Sequence, residues 1–257
     1  MKISIISVYN NKNVLEKCLL ESLKKQNENY ELILVDNRSG KFKSAADALN
    51  WGGNKSTGDL LIFVHQDVHF YEDNLTDIIK YCENSNNLGI AGVAGMDPLT
   101  GVMKSNGTHY IPPQDMSKNH IEHVENAQTL DEVLLIIPRN IFKNYKFDSE
   151  VCHDWHLYGV DYCLNLLKNN YNVLVLPIEL YHESNGGSMS PEYYKTLKKI
   201  LKKYKQDFTY IHTSCAGTFN PNKLIKVNIL YYLTKYPTIE SVAMILGKSK
   251  LLKKFIK

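Results

Sequence analysis

Cysteine is scarce in this chain. There are five residues (Cys18, Cys82, Cys152, Cys163, Cys215) in 257, an odd number with no C-x-x-C spacing. That argues against a disulfide framework or a Cys-rich zinc cluster and fits a reducing cytosol. Eight Pro and 14 Gly are too few for a collagen-like or low-complexity protein. No apolar run approaches the ~18–20 residues a membrane-crossing helix needs. The opening apolar stretch, residues 3–9, gives way to Asn10-Asn11 without a small-residue cleavage site, so it reads as a first strand and not as a secretion signal. Neither G-x-x-x-x-G-K-[ST] nor G-x-G-x-x-G is present, so phosphate binding by those two loops has no support. The absence of G-x-S-x-G disfavours a serine hydrolase. No internal repeat is visible.

What remains is ordinary globular usage, 44% hydrophobic and 22% charged, long enough for one large α/β domain or a domain with a small appendage. The total charge of +3 hides an asymmetry. Between Ser190 and Lys257 stand fourteen Lys against Glu192, Asp207 and Glu240, a net +11, which leaves −8 on residues 1–189. The division expected is therefore a body over 1–189 and a Lys-rich helical extension over 190–257. Such a tail attracts anionic surfaces, membrane lipid or nucleic acid. Lys without Arg, and without a known module, makes nucleic acid the weaker partner.

Short apolar runs at residues 2–8, 31–35 and 60–64 read as buried strands. Helical spacing follows each of them, at 14–23, 44–50 and 74–82. Strand–helix alternation of this kind predicts right-handed crossovers and a parallel sheet, with ligands at the carboxyl ends of the strands. Three polar clusters fall at those ends: Tyr9-Asn10, Asp36-Asn37 and His65-Gln66-Asp67. Further on, residues 89–95, 133–137 and 171–180 read as strands. Residues 154–167, 192–204, 224–233 and 239–246 read as helices. Residues 97–126 read as a long loop or hairpin, a length often reserved for function.

Three constellations could carry chemistry. In His65-Gln66-Asp67-Val68-His69, an Asp leaving a buried strand either holds a hard cation that also binds phosphate or caps its loop. The two His are either ligands or hydrogen-bonded structural residues. In Trp155-His156-Leu157-Tyr158-Gly159-Val160-Asp161, the Asp is either a general base facing a cleft or a carboxylate favoured by the helix dipole. Trp155 is either a sugar-stacking platform or core. In Tyr181-His182-Glu183-Ser184-Asn185-Gly186-Gly187-Ser188, a His at a strand end precedes a Gly-rich segment. It is either a metal ligand before a closing loop or a surface His before a linker.

Taken in order, these segments resemble the nucleotide-sugar glycosyltransferases of GT-A fold, particularly family-two-like bacterial enzymes, over about residues 3–188. Ser7-Val8-Tyr9-Asn10 resembles the nucleobase-contacting end of the first strand. Val35-Asp36-Asn37-Arg38-Ser39 resembles the second-strand motif whose Asp contacts uracil or ribose. Ala48-Leu49-Asn50 resembles the segment where an Asn helps hold the nucleotide. His65-Gln66-Asp67 stands where that family has D-x-D, with His65 in place of the first Asp. Asp161 matches the Asp of the family's Glu-Asp pair, with Val160 in place of the Glu, and His182 matches a late metal-binding His.

The resemblance implies an α/β GT-A fold with a mixed, mainly parallel sheet flanked by helices. It implies a metal-dependent inverting transfer of a sugar from a nucleotide diphosphate sugar, UDP favoured, to an acceptor hydroxyl. Asp67 and His182 would ligate Mn²⁺ or Mg²⁺. Val8, Tyr9, Asn10, Asp36, Asn37, Asn50 and Gln66 would contact the nucleotide. His65, Trp155, His156 and Ser188 would contact donor or acceptor, and Asp161 would be the base. The acceptor expected is a glycan or lipid-linked glycan of bacterial surface polysaccharide or glycoconjugate synthesis. Lipid-linked acceptors and the basic tail together suggest a cytoplasmic enzyme peripheral to the inner membrane face. Two rivals stand beside this reading. One is a GT-A-like module that binds nucleotide or glycan without turnover. The other is a sugar nucleotidyltransferase, which opens with a Gly-rich basic loop where this chain has Tyr9-Asn10-Asn11-Lys12-Asn13. Residues 225–236, apolar and Tyr-rich, could form an interface.

Overall fold

A computed structural model describes residues 1–184 and 189–235. Its elements run β1 (Ile3–Tyr9), α1 (Lys12–Leu15), a π-helical turn (Glu16–Leu20), α2 (Glu21–Leu23), β2 (Tyr30–Asp36), α3 (Ala45–Lys55), β3 (Leu60–Val64), β4 (Val68–Phe70) and α4 (Asn74–Glu83). There follow β5 (Leu88–Gly92), β6 (Ala94–Met96), β7 (Met103–Ser105), β8 (Thr108–His109), β9 (Gln114–Asp115), β10 (Glu125–Asn126), β11 (Thr129–Leu130), β12 (Leu134–Pro138) and α5 (Arg139–Asn144). The described chain ends with α6 (Tyr158–Lys168), β13 (Asn172–Val175), β14 (Leu180–His182), α7 (Pro191–Lys203), β15 (Ile211–Thr213), β16 (Gly217–Phe219) and α8 (Ile225–Lys235).

The main sheet has seven strands in the order β10-β13-β5-β12-β3-β1-β2. Five share one direction, while β12 and β10 run against them. This is the mixed, mainly parallel sheet that the alternation predicts. Its inner strands bury continuous apolar runs: all five residues of β3 (Leu-Leu-Ile-Phe-Val) and all five of β5 are buried. The run at residues 31–35, expected as a buried strand, instead forms the edge of the sheet, and only Val35 of β2 is buried. Helix α3 starts at Ser44, whose Oγ accepts the Asp47 N–H at 3.1 Å, and lies so close to the sheet that a Cβ at Gly53 would sit 2.5 Å from the Phe142 ring. Only glycine allows that approach.

Three further expectations about elements need correction. The strand expected over residues 89–95 is two strands parted at Val93, β5 in the main sheet and β6 in a three-stranded one. The helix expected over residues 154–167 begins at Tyr158, because Leu157 takes a left-handed φ of 69° that interrupts helical geometry. Trp155 and His156 therefore precede the helix. The strand expected over residues 171–180 is two strands in different sheets, β13 and β14, broken around Pro177. The stretch 97–126 is not featureless: β7 joins β6 and β11 in a three-stranded sheet, and β8 and β9 join β4 and β14 in a four-stranded one. All five cysteines are free thiols.

Two compact units are present. Among the described residues one comprises 1–184 with 212–218, and the other comprises 189–211 and 219–235. In the second, α7 is opened by Ser190, whose Oγ accepts the Tyr193 N–H at 3.3 Å, and by Pro191 in its first turn. Lys202 and Lys203 occupy its last turn, where the helix dipole favours cations. Among the described residues no helix is long and apolar enough to cross a membrane. The helix expected at 239–246, and the end of the segment 225–236, lie outside the described residues.

Candidate functional site

The chain passes from β1 to β2 on one side and then to β3 on the other, so the connections leaving β1 and β3 diverge. A crevice opens at such a switch point, outside the carboxyl ends of the strands. Gln66 spans it. Its Oε1 accepts the backbone N–H of Asn10 (3.2 Å) and Asn11 (3.0 Å), and its Nε2 donates to Asn10 Oδ1 at 2.8 Å. Beside it Asp36 at the end of β2 accepts from Arg38 through Nε (3.0 Å) and NH2 (2.6 Å), and the Arg38 guanidinium lies over the Tyr9 ring. That ion pair holds the Asp36 carboxyl well below the usual carboxylate range. Tyr9, Asn10, Asp36 and Gln66 are thus gathered along one sheet edge.

The next residues along that edge bring together three side chains of metal-ligating type. Asp67 Oδ1 lies 3.2 Å from His182 Nε2, and His65 Nδ1 lies 3.4 Å from the same nitrogen. The three donors fall within 4.8 Å of one another. They meet because β14 pairs antiparallel with β4, with His182 opposite Val68, which folds a distant segment back onto the end of β3. Burial, and then the neighbouring His182, push the His65 imidazole down to about 4, leaving it neutral with a lone pair to offer at neutral pH. Burial would raise the Asp67 carboxyl, but its hydrogen bond to His182 and the charge of that imidazole prevail and hold it below the usual value. Two imidazoles and a carboxylate suit a divalent transition metal better than the oxygen-seeking Mg²⁺.

A cavity adjoins the cluster, lined among others by Val8, Phe63, His65, Glu132, Trp155 and Tyr158. Trp155 is 38% exposed there, and the Tyr158 hydroxyl lies 3.5 Å from His65 Nε2. His156 is close enough for its charge to act on His65. Asp161 does not line this cavity. It lies in the first turn of α6 at 2% exposure.

The carboxylate that does line the cavity is Glu132, which the sequence reading missed. It accepts the Gly159 N–H at 2.9 Å, and the N–H groups of Leu157 and Tyr158 act on it as well. Glu132 therefore supplies the cap that Leu157, with no polar side chain, cannot give to α6. Burial nonetheless pushes its carboxyl up to about 8. The available signal was an acid placed directly before the apolar run of β12, a strand whose reversed direction starts it at the crevice. Tyr158 was visible within the Trp155–Asp161 pattern, but its contact with His65 was not.

Two expected nucleotide contacts are occupied elsewhere. The Asn37 amide donates to Phe42 O (3.2 Å) and accepts from Phe42 N (2.7 Å), shaping the loop after β2. The Asn50 amide does the same with Phe147, donating to O at 2.8 Å and accepting from N at 3.1 Å. Both side chains brace backbone from within the protein. Ser188 lies outside the described residues.

The family model described as a glycosyltransferase-like family matches residues 4–204. The chain belongs to that family. No curated protein matches it. Among solved structures, S. aureus TarS 1-349 in complex with UDP-GlcNAc is similar at TM-score 0.56 and 16% identity, covering 99% of this chain and 78% of that one. The longer TarS chain is matched over 40% of its length. GalNAc-T7 with UDP, GalNAc and Mn²⁺ is similar at TM-score 0.58 and 10% identity, over 80% of this chain and 48% of that one. The Pyrobaculum calidifontis mannosyltransferase PcManGT with GDP-Man and Mn²⁺ gives TM-score 0.56 and 13% identity, over 99% and 77%. At such identities the likeness establishes the fold, and this glycosyltransferase has the GT-A architecture.

Proposed function

We propose that this glycosyltransferase moves a sugar from a nucleotide diphosphate sugar, UDP favoured, to an acceptor hydroxyl with inversion, using a divalent metal held by His65, Asp67 and His182. The observation that carries the reading is the convergence of those three donors beside the crevice that Gln66 bridges. A divalent ion in that position supplies neutralisation of the charge that develops on a departing diphosphate. Tyr9, Asn10, Asp36 and Gln66 position the nucleotide along the strand ends. Trp155 offers an exposed ring face to a sugar, and His156 adds a polar group beside it. In this scheme Asp161 takes the acceptor proton as the acceptor oxygen attacks the anomeric carbon, with Glu132 positioning its helix. One displacement with one base inverts that carbon.

Structures of similar fold that hold UDP-GlcNAc, UDP or GDP-Man support the donor class, and Mn²⁺ in two of them supports the metal. The acceptor proposed is a glycan or lipid-linked glycan. The +11 charge beyond residue 190 supports work at an anionic membrane face. The test is a thermal-shift panel of UDP-, GDP-, CMP- and dTDP-sugars with and without Mn²⁺, because ligands that bind the folded state alone raise its apparent stability. A shift confined to one nucleotide class and dependent on Mn²⁺ is expected. No shift with any donor overturns the reading.

The burial of Asp161 and the His65 and Val160 replacements favour one alternative, a module that binds donor without turnover. Sugar-nucleotide hydrolysis or transfer separates the two. If turnover is present, Asp161→Asn is expected to lower it by ~10²–10⁴-fold while donor binding persists. A loss of that size in Glu132→Gln, with Asp161→Asn unaffected, reassigns the base to Glu132.

A further inference from the structure

Behind the nucleotide-site cluster stands a second group of donors. Cys18, His69 and Glu183 bring a thiol, an imidazole and a carboxylate within 4.8 Å of one another. They arrive from three separate segments. Cys18 lies in the π-helical turn, His69 in β4, and Glu183 one residue beyond β14. The β4–β14 register explains the meeting. His69 stands opposite Tyr181, and Glu183, two residues past Tyr181, continues the ladder through its N–H to Asp67 O at 2.8 Å. Glu183 and His69 thus share one face of the ribbon, while His182, one residue earlier, points to the other. Cys18 is buried, at 1% exposure, on the helical segment packed against that face. It is carried there by a π turn, a helical defect common at functional sites.

We propose that Cys18, His69 and Glu183 form a second metal site, distinct from the nucleotide site, for a borderline-soft divalent ion of the Zn²⁺ class. The distances fit. With bonds of about 2.3 Å to sulfur and 2.0–2.1 Å to nitrogen and oxygen, a tetrahedral ion spaces its sulfur and oxygen ligands about 3.5 Å apart and its nitrogen and oxygen ligands about 3.3 Å apart. Cys18 Sγ lies 3.5 Å from Glu183 Oε2, and His69 Nε2 lies 3.4 Å from the same oxygen. The other carboxylate oxygen, Oε1, is held by Lys17 Nζ at 3.6 Å, which leaves Oε2 as the donor turned inward. A thiolate among the ligands selects zinc-like ions over Mg²⁺ and Mn²⁺, and of the two clusters only this one offers sulfur. Binding exchanges the thiol proton for the ion and releases it to solvent. The ion ties the first helical segment to the ribbon that carries His182. Its role is therefore to fix the nucleotide-site imidazole from behind.

The experiment titrates the full-length, reduced, metal-stripped protein with Co²⁺ alone. A thiolate-to-cobalt charge-transfer absorption is expected, saturable and abolished by added Zn²⁺. It disappears in Cys18→Ser and persists in Cys215→Ser, which changes an exposed thiol. It also persists in Asp67→Asn, so failure here and failure of the nucleotide site are separable. Glu183→Gln and His69→Gln change partly accessible residues and serve if Cys18→Ser does not fold. Each is expected to weaken Co²⁺ binding at this site by at least about tenfold. The proposal is overturned by a folded wild type without the absorption, by an absorption that survives Cys18→Ser, or by unchanged affinity in both Gln variants.

Discussion

His65 and His182 are 117 positions apart in the chain and 3.4 Å apart in space. With Asp67 they make a site whose members each contribute something different. The carboxylate brings the negative charge, and the neutral His65 brings a lone pair. Asp67→Ala is therefore expected to remove the Mn²⁺-dependent part of any donor-induced thermal shift. A nucleotide titration with and without Mn²⁺ reads this directly, and an undiminished metal effect counts against Asp67 as a ligand. Glu132 makes a different prediction. Its carboxyl titrates near 4.5 when unfolded and about 8 when folded, so the folded state binds the extra proton between those values. Its contribution to stability is complete below the lower value and is lost as pH rises through the upper one. The denaturant midpoint of the wild type should fall from about pH 5 to about pH 8.5 more steeply than that of Glu132→Gln, measured by urea unfolding. Parallel profiles would show that Glu132 is not held protonated.

At the level of elements, the parts legible in the sequence were those with a single physical reading. The runs at β1 and β3 are apolar and form buried strands, as their pattern implies; the run at β2 also forms a strand, but at the sheet edge, where an apolar run need not be buried. Their polar ends, Tyr9-Asn10, Asp36 and His65-Gln66-Asp67, followed from topology. Less legible were features set by one backbone angle or one distant contact. The start of α6 depends on Leu157 at φ 69°, a position taken by a residue that gives no local warning of it. The π turn at Glu16–Leu20 leaves the apolar spacing of the segment nearly unchanged, so periodicity does not reveal it. The backbone hydrogen bonds of Asn37 and Asn50 were not legible either, because an exposed amide and one bonded to a backbone have the same letter. Helix α3 supplies two tests. Ser44→Ala deletes its cap and should cost ~0.5–2 kcal/mol of stability by chemical denaturation. Gly53→Ala sets a methyl against Phe142 and should cost ~1–3 kcal/mol, with a proportionate drop in Tm.

For the whole molecule, charge is the property no single element displays. An acidic body carrying −8 and a segment of +11 oppose each other on one chain. The glycosyltransferase should co-sediment with vesicles containing anionic lipid and not with neutral ones, and binding should weaken as salt shortens the Debye length. Co-sedimentation indifferent to lipid charge and salt would remove the membrane from the proposal. The direction of β12 bears on how such an enzyme is diversified. Its first residue, Leu134, stands beside Val64 at the end of β3, and its last, Pro138, beside Leu60 at the beginning. Chain added upstream of β12 is delivered to the rim where substrates would lie, whereas chain added downstream emerges on the far rim. Grafts intended to change what this scaffold accepts belong before residue 133, and those intended to leave chemistry alone belong after residue 138.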